Sequence, residues 1–322
     1  MRNELNQTAV LAWASFLDAA RRPATLLTMM AGLVLILLLP YMVLYKIGEQ
    51  ARIMRDACLA LQFLLGWLVA ALAGAAALHR DLRLGTAALA LCKPVGRARF
   101  FLAKFLGLAL FLALTNALFA EAVMISVRAS MTQYLTDSRV LLPALAAPGA
   151  AFGIAAIVNA VRNRPFVPMA LALTALLLTA AFLSAANLPL RTLTGGWADS
   201  EMDWRLVPSC ALLGLSALVA CAMAFALSSR LPPPFTVSIV ALLSVMGLIA
   251  SAVFGPAHGG GIIPVLAASL LPDFQAFWVA DRLSAAGGVL TFADVSGPAA
   301  YAILYLTAWL CAGLFMFRNA EP

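Results

Sequence analysis

The sequence predicts an all-α fold: a polytopic integral membrane helical bundle of six to eight transmembrane helices, preceded by an amphipathic interfacial helix. Of its 322 residues, 64% are hydrophobic and only 11% are charged. A soluble domain has about 45–50% apolar residues, so a water-soluble core cannot hide this many apolar side chains. The apolar residues also fall into runs of about 20, the length that a helix needs to cross a hydrocarbon core of ~30 Å.

The first element is a leader, residues 1–25, that we expect to form a helix lying on the inner leaflet. Apolar side chains that can share one broad helical face are Leu5, Val10, Leu11, Ala14 and Leu17. Trp13 and Phe16 beside this face favour an interfacial helix over a frayed terminus, with Arg21 and Arg22 meeting anionic headgroups. No small-x-small cleavage site ends the apolar run that follows, so we expect an uncleaved first transmembrane helix.

Eight apolar runs are candidates for transmembrane helices. They are 26–45, 57–78, 105–127, 142–161, 166–186, 206–229, 236–254 and 299–317. Pro143 and Pro148 lie in the first half of the fourth run, and we expect them to kink or unwind it. Short basic hairpins are expected at 162–164, between the fourth and fifth runs, and at 230–234, between the sixth and seventh.

The distribution of charge predicts the orientation. One set of connections comprises the leader, 79–104, the two basic hairpins and the C-terminal tail, and it carries 13 Lys or Arg and 4 acids. The other set carries 8 Lys or Arg and 9 acids. Because basic residues accumulate on the cytoplasmic side, we expect the first set to be cytoplasmic. The prediction is a multi-pass protein of the bacterial inner (cytoplasmic) membrane with both termini inside.

The longest connection on the opposite side is 255–298. Within it, residues 262–271 are apolar but too short to span, and Pro264 and Pro272 bracket them. We therefore expect short re-entrant or interfacial helices in this extracytoplasmic segment. The whole chain, residues 1–322, is predicted to form a single transmembrane domain.

Composition argues against several classes of function. The net charge of +7 arises from basic residues at the ends of apolar runs, with no basic patch interleaved with aromatics, so nucleic acid is not an expected partner. Five cysteines without a C-x-x-C pair and only two histidines, His79 and His258, predict no metal site. No phosphate-binding G-x-x-x-x-G-K-[ST] motif occurs, so we expect no catalytic residues and no cofactor on this chain.

Polar and small residues inside the predicted spans are the intramembrane candidates. Glu121 is the one carboxylate deep within a run, and with Asn116 it is a candidate for a substrate pathway. The alternative for Glu121 is a hydrogen bond to a neighbouring helix. Gly149 and Gly153 form a smooth strip that favours close helix packing, within the subunit by default or at a subunit interface.

The segment 79–104 is a charged loop between two apolar runs, and it is the strongest clue to function. Leu82, Leu84, Ala88, Leu89 and Leu91 recur with a spacing that predicts a short amphipathic helix parallel to the membrane. Pro94 would end this helix, and the basic residues after it would anchor the next span. Such a helix offers a docking element for a soluble partner; the alternative is a surface helix with no partner.

Two stretches carry a resemblance to a known family. Asp81-x-Arg83-x-Gly85-Thr86 and Lys93-Pro94-Val95-x-Arg97-x-x-Phe100, followed by Lys104-Phe105, resemble the loop between helices two and three of ABC-2-type transporter permeases. Leu271-Pro272-Asp273-Phe274, Phe277, Tyr301, Tyr305 and Phe317-Arg318 look like the end of the branch often labelled multi-copper enzyme maturation permease. The copper label is not carried over, since no metal-ligand cluster is evident, and eight runs exceed the six spans of the simplest members.

The resemblance implies a membrane subunit that pairs with a separate ABC ATPase, which would hold ATP and Mg²⁺. A second copy of this permease, or a related one, would complete the transporter. Residues implied to couple to the ATPase are Asp81, Arg83, Leu84, Gly85, Thr86, Leu89, Lys93, Pro94 and Arg97. Competing hypotheses are an ion-gradient-driven secondary transporter, which would need several intramembrane acids, a non-transport membrane scaffold, and a membrane-embedded enzyme.

Overall fold

The computed structural model describes residues 2–42, 50–83, 96–130, 136–191, 197–198, 202–254, 271–284 and 290–318. Within these residues the chain is almost entirely helical. The helices are α1 (Arg2–Ala20), α2 (Pro23–Met42), α3 (Gln50–Arg83), α4 (Arg97–Ala129), α5 (Ser138–Arg162), α6 (Phe166–Asn187), α7 (Leu206–Leu227), α8 (Pro233–Phe254), α9 (Ala280–Ser284) and α10 (Phe292–Arg318). A 3₁₀ turn covers Phe274–Phe277, and the two-residue strands β1 (Leu190–Arg191) and β2 (Trp197–Ala198) pair antiparallel.

The predicted all-α polytopic bundle is confirmed. Each of the eight predicted runs coincides with a helix, from α2 to α8 and then α10. Seven of these helices are long and apolar enough to cross a membrane, whereas the apolar part of α8, Pro233–Ile249, is shorter than this length. The chain is therefore a multi-pass helical membrane protein with an additional helix, α1, at its N-terminal side. The interfacial position of α1 stays a prediction.

Helices α3 and α4 are longer than the apolar runs within them. α3 has 34 residues and α4 has 33, so at 1.5 Å per residue each is about 50 Å long. This exceeds the ~30 Å hydrocarbon core. Residues 79–83 and 97–104, expected within the connecting loop, are instead helical ends. A helix can continue into water because its backbone groups are bonded internally, and hydropathy identifies only its apolar part.

Helix α5 runs unbroken through both of its prolines, so the expected unwinding is wrong. The Asp137 carboxylate caps its start by accepting a hydrogen bond from the Arg139 N–H (3.1 Å). Asn163 ends it in the left-handed region with φ of 50°, a conformation that Asn tolerates well. Pro148 is buried together with Ala147 and Ala151, so packing against neighbouring helices supports the helical conformation at this proline.

The core is organised around α7, which packs against α3, α4, α8 and α10. Its apolar window is 78% buried, against 22% for α10, so α7 is central and α10 peripheral. Small residues allow the closest approach: a Cβ added to Gly74 of α3 would lie 2.8 Å from the Cys221 carbonyl oxygen and 2.9 Å from the Ala224 Cβ. Such small-residue contacts are how helices associate in membranes.

Helix α1 packs along α4 through small residues. Ala12, Ser15 and Ala19 are buried, and a Cβ added to Gly107 of α4 would collide with the Ala12 carbonyl oxygen. The helix is present as predicted, but Val10, assigned to its broad apolar face, is 67% exposed. The face that meets the protein is therefore the small-residue face, and Val10 is left for lipid or solvent.

Side-chain contacts show which connections lie together at each end of the bundle. At one end, Arg80 Nη1 lies 3.8 Å from Asp18 Oδ1, and Arg230 Nη2 donates to the Met316 carbonyl (3.3 Å). We call this the inner end, because it gathers the leader, the 79–104 region and the C-terminal region, which the charge bias predicts to be cytoplasmic. At the outer end, Thr136 Oγ1 donates to the Pro40 carbonyl (3.3 Å).

Candidate functional site

The inner ends of α3 and α4 are joined by a buried charge contact. Lys104 of α4 forms an ion pair with Asp81 of α3, and both side chains are less than one fifth exposed. Lys104 Nζ also donates to the Ala77 carbonyl oxygen (3.4 Å). We refer to Asp81, Lys104 and the Ala77 carbonyl as the inner clamp. It holds together the two helices that border the segment 84–95.

Helix α1 is tied to the same region through Asp18. Its carboxylate accepts a hydrogen bond from Arg22 Nη2 (2.6 Å) and faces Arg80. Burial raises the pKa of the Asp18 carboxyl, but the charges of Arg22, Lys104 and Arg80 outweigh it, so the pKa lies below its ordinary value. The carboxylate is therefore ionised at neutral pH.

Arg22 does not take the role that was expected from the sequence. It was expected to meet anionic headgroups with Arg21, but its side chain is buried, and Nη1 donates to the Ala73 carbonyl of α3 (3.1 Å). Arg21 is exposed, as a headgroup contact requires. The reason is geometric: the chain turns between α1 and α2 beside α3, and the Ala73 carbonyl and the Asp18 carboxylate both lie within reach.

The predicted docking residues fall into three groups. Arg83, the last residue of α3, is exposed, whereas Asp81 is held by Lys104. Arg97 begins α4 and donates from Nη1 to the Arg318 carbonyl (3.1 Å). The start of the predicted amphipathic helix, up to Arg83, is the end of α3, and its remainder lies outside the described residues. The other predicted docking residues lie there too; they are Leu84, Gly85, Thr86, Leu89, Lys93 and Pro94.

The two sequence stretches that carry the family resemblance meet at the inner end. Besides the contact between Arg97 and Arg318, the Phe100 ring stacks on Phe317 with centroids 6.3 Å apart. The start of α4 is thus joined to the end of α10. This contact could not be read from the sequence, because more than 200 residues separate the partners.

The C-terminal stretch also has a cluster of contacts at the outer end. Tyr301 Oη accepts a hydrogen bond from the Asp273 N–H (2.7 Å), and Tyr305 Oη donates to the Leu271 carbonyl (3.0 Å). The two tyrosines hold the segment around the 3₁₀ turn against α10. The apolar run 262–271, expected to be re-entrant, lies outside the described residues except for Leu271.

Asn116 belongs to a buried polar cluster between α3, α4 and α7. Gln62 Nε2 donates to Asn116 Oδ1 (2.9 Å), and Asn116 Nδ2 donates to the Cys210 carbonyl (3.1 Å). Gln62 is 1% exposed, and its Oε1, like Ser209 Oγ, has no hydrogen-bond partner among the described residues. The sequence analysis missed Gln62, although a Gln in the first third of an apolar run was the available signal.

Glu121 faces a different neighbour. Both carboxylate oxygens accept from Thr179 Oγ1 of α6, at 3.0 and 3.2 Å. Asn116 and Glu121 are five residues apart, about 140° around the helix, so the structure does not bring the two pathway candidates together. The contact is the hydrogen bond to a neighbouring helix that was one of the two interpretations of Glu121.

Arg128 is a second residue whose role the sequence analysis missed. It was counted within an outer connection, yet it ends α4 with its side chain 2% exposed. Its guanidinium donates to the Ala185 and Leu188 carbonyls at the end of α6. A cation placed there satisfies the free carbonyls of the helix terminus.

Gly149 and Gly153 of α5 are not used for packing within the described part of the subunit. A Cβ added to either would meet nothing within 4 Å there. The default interpretation of this strip, packing inside the subunit, is therefore not supported. The strip is available to lipid or to another subunit.

Comparison with known proteins adds no relative. No protein-family model, curated protein or solved structure matches this chain. The fold therefore defines the class, a multi-pass helical membrane protein, and the resemblance to ABC-2-type permeases rests on the sequence motifs alone.

Proposed function

We propose that this chain is the transmembrane subunit of an ABC exporter in the bacterial inner membrane. It couples through the 79–104 region to a separate ATPase, which binds ATP and Mg²⁺, and it carries no catalytic site of its own. Two membrane subunits, this chain and a second copy or a related one, pair with two ATPases. ATP-driven closure of the ATPases moves the membrane helices and opens them to alternate sides.

The observation that best supports this proposal is the inner clamp. A soluble motor can only do work on a membrane protein through a rigid element that reaches the membrane surface. Helices α3 and α4 are each about 50 Å long, and the Asp81–Lys104 ion pair fixes their inner ends to each other. A force applied to the segment between them is thereby delivered to both helices at once.

Farther from the inner end, α3 and α4 both contact the central helix, α7. Gln62 of α3 and Asn116 of α4 both donate to the Cys210 carbonyl of α7, at 3.3 and 3.1 Å. A displacement of the clamped pair is therefore passed to α7, the most buried span. Packed helices shift as rigid bodies because close-packed interiors do not deform continuously.

Charge at the inner end suits an acidic groove on the partner. Arg83 is exposed at the tip of α3, next to the segment that the ATPase would contact. An exposed charge at the rim of an interface affects encounter and register, so reversing it weakens a complex without disturbing the fold. Asp81 is unsuitable for this test, because its substitution would break the inner clamp.

The experiment compares two charge reversals at the inner end. Arg83→Glu is expected to lower co-purification with the proposed ATPase partner, co-expressed from the same genome, by about tenfold. Arg164→Glu is the matched control, since Arg164 is also exposed and predicted cytoplasmic but lies in the hairpin between α5 and α6. Both variants are first checked for membrane insertion and for a single elution peak.

The result that supports the proposal is loss of the ATPase from Arg83→Glu and its retention by Arg164→Glu. Equal retention by both variants contradicts the docking role of α3. Equal loss from both also contradicts it, because the effect would then follow net charge and not position.

A further inference from the structure

A cavity of about 430 Å³ lies at the outer end of the bundle, away from the inner clamp. Its volume is within the ~300–1,000 Å³ of small-molecule sites. Four elements contribute to its wall: α3, α7, α8 and the segment from the 3₁₀ turn to α9. The lining residues are Phe63, Leu213, Leu248, Phe274, Gln275, Trp278 and Asp281.

The wall of this outer cavity is mainly aromatic and aliphatic. The Phe63 and Phe274 rings meet edge to face with centroids 6.1 Å apart, which fixes the shape of one side. Phe274 is 2% exposed, and Asp273 caps its 3₁₀ turn by accepting from the Gln275 N–H (2.9 Å). The aromatic groups are thus held by the fold before any ligand arrives.

Asp281 is the one charged residue among the described residues of the lining. It is exposed in α9, three residues after Trp278. The basic residue beside it, Arg282, forms an ion pair with Asp294. Arg55, from α3, is directed to the Leu283 carbonyl (3.3 Å) and lies beside Asp56.

We infer that this cavity binds an amphipathic organic cation, with the apolar body among Phe63, Phe274 and Trp278 and the positive charge at Asp281. Aromatic faces attract cations, and the attraction increases when the site is partly desolvated. A carboxylate at the rim of an apolar site adds a Coulombic attraction that water screens only in part. An anionic molecule of the same shape is repelled by the same carboxylate.

This inference does not rest on the proposed ATPase coupling. The site is a binding pocket whether or not a motor acts on the inner end. A test without ATPase and without nucleotide therefore separates the two: its failure leaves the coupling proposal standing, and the reverse also holds.

The experiment uses a pair of probes with one shape and opposite charge. Tetraphenylphosphonium and tetraphenylborate are each equilibrated by dialysis against the purified full chain in nanodiscs of zwitterionic lipid, with empty nanodiscs as the blank. We expect saturable binding of the phosphonium above the blank. We expect the borate to bind at least about tenfold more weakly.

Two substitutions assign the binding to the outer cavity. Asp281→Asn is expected to weaken phosphonium binding about tenfold, and Trp278→Leu about fivefold or more, with Trp278→Phe restoring most of it. Asp137→Asn is the matched control: Asp137 is an outer-end carboxylate at the start of α5, where Asn caps a helix equally well.

Four results would overturn the inference. The first three are phosphonium binding no greater than in empty nanodiscs, equal binding of the borate after the same blank is subtracted, and an Asp281→Asn variant that binds as well as the parent chain. A loss of binding in Asp137→Asn equal to that in Asp281→Asn also overturns it, because the effect would then be general to the outer face.

Discussion

Asp18 shows how one charged residue links two helices, α1 and α3, at the inner end. It belongs to α1, its strongest partner Arg22 reaches the Ala73 carbonyl of α3, and Arg80 of α3 lies on its other side. The pair with Arg80 is exposed on both sides and contributes little, about 0.2–1 kcal/mol, whereas in the pair with Arg22 the Arg side chain is buried. The main effect of these contacts is to fix the position at which α1 packs against α3.

Asp18→Asn tests this link through its dependence on pH. We expect the apparent melting temperature of the variant to be lower by about 2 °C at neutral pH. The folded pKa of Asp18 lies below its ordinary value of 3.8, so the carboxylate stabilises the fold above that value. The contribution is lost as the pH falls through the folded pKa, and the two melting curves should then converge.

The control for this prediction is Arg22→Gln, alone and combined with Asp18→Asn. Because the two side chains form one pair, their effects should not add. A difference between the parent chain and Asp18→Asn that stays constant down to pH ~3 would show that the carboxylate charge plays no part.

At the level of single residues, burial was the property that the sequence predicted least well. Arg22 and Arg128 were placed at membrane surfaces because basic residues are usually found there. Both are buried, because each finds a carbonyl acceptor far away in the sequence, Arg22 within α3 and Arg128 at the end of α6. Glu121 was identifiable as an intramembrane carboxylate, but Thr179 as its partner was not.

At the level of helices, glycine marks the closest contacts, and two glycines with different surroundings form a direct comparison. Gly107 of α4 touches α1, whereas Gly153 of α5 meets nothing within 4 Å in the described part of the chain. Both lie in helix interiors, so the change in helix propensity caused by replacing glycine is about the same at the two positions.

Gly107→Val is therefore expected to separate α1 from α4 and lower the stability of the chain by about 1–3 kcal/mol, as overpacking does. Gly153→Val should change the stability of the isolated subunit by less than about 0.5 kcal/mol. The measurement is thermal unfolding in detergent, with protease susceptibility of α1 as a second readout. Equal effects of the two substitutions would contradict the packing described for α1.

The sequence predicted the helices well and their ends poorly. Every apolar run became a helix, because 20 apolar residues in a bilayer have few other ways to satisfy their backbone. The extensions of α3 to Arg83 and of α4 back to Arg97 were missed. Their polar ends form helix through contacts with each other, such as Asp81 with Lys104, which no local pattern indicates.

At the level of the whole molecule, the predicted charge sides correspond to two sets of contacts. The leader, the start of α4 and the end of α10 meet at the inner end, although they are far apart in sequence. The outer end instead carries an aromatic cavity with a carboxylate. We therefore propose that the two ends have different functions, with a coupling region at the inner end and a binding site at the outer end.

The central claim is that the inner clamp transmits the work of an ATPase. The most direct test measures how far this chain, in nanodiscs, stimulates ATP turnover by the proposed ATPase partner. The parent chain is compared with Asp81→Lys, Lys104→Asp and the double variant that exchanges the two charges. Each single variant leaves two like charges in contact, and the exchange restores the ion pair.

We predict that each single variant loses most of the stimulation, by about tenfold, and that the exchanged pair recovers at least about half of it. All variants must bind the ATPase to comparable levels, so that the readout is transmission and not docking. Two results would contradict this claim. One is equal stimulation by the single and double variants, and the other is no stimulation by the parent chain.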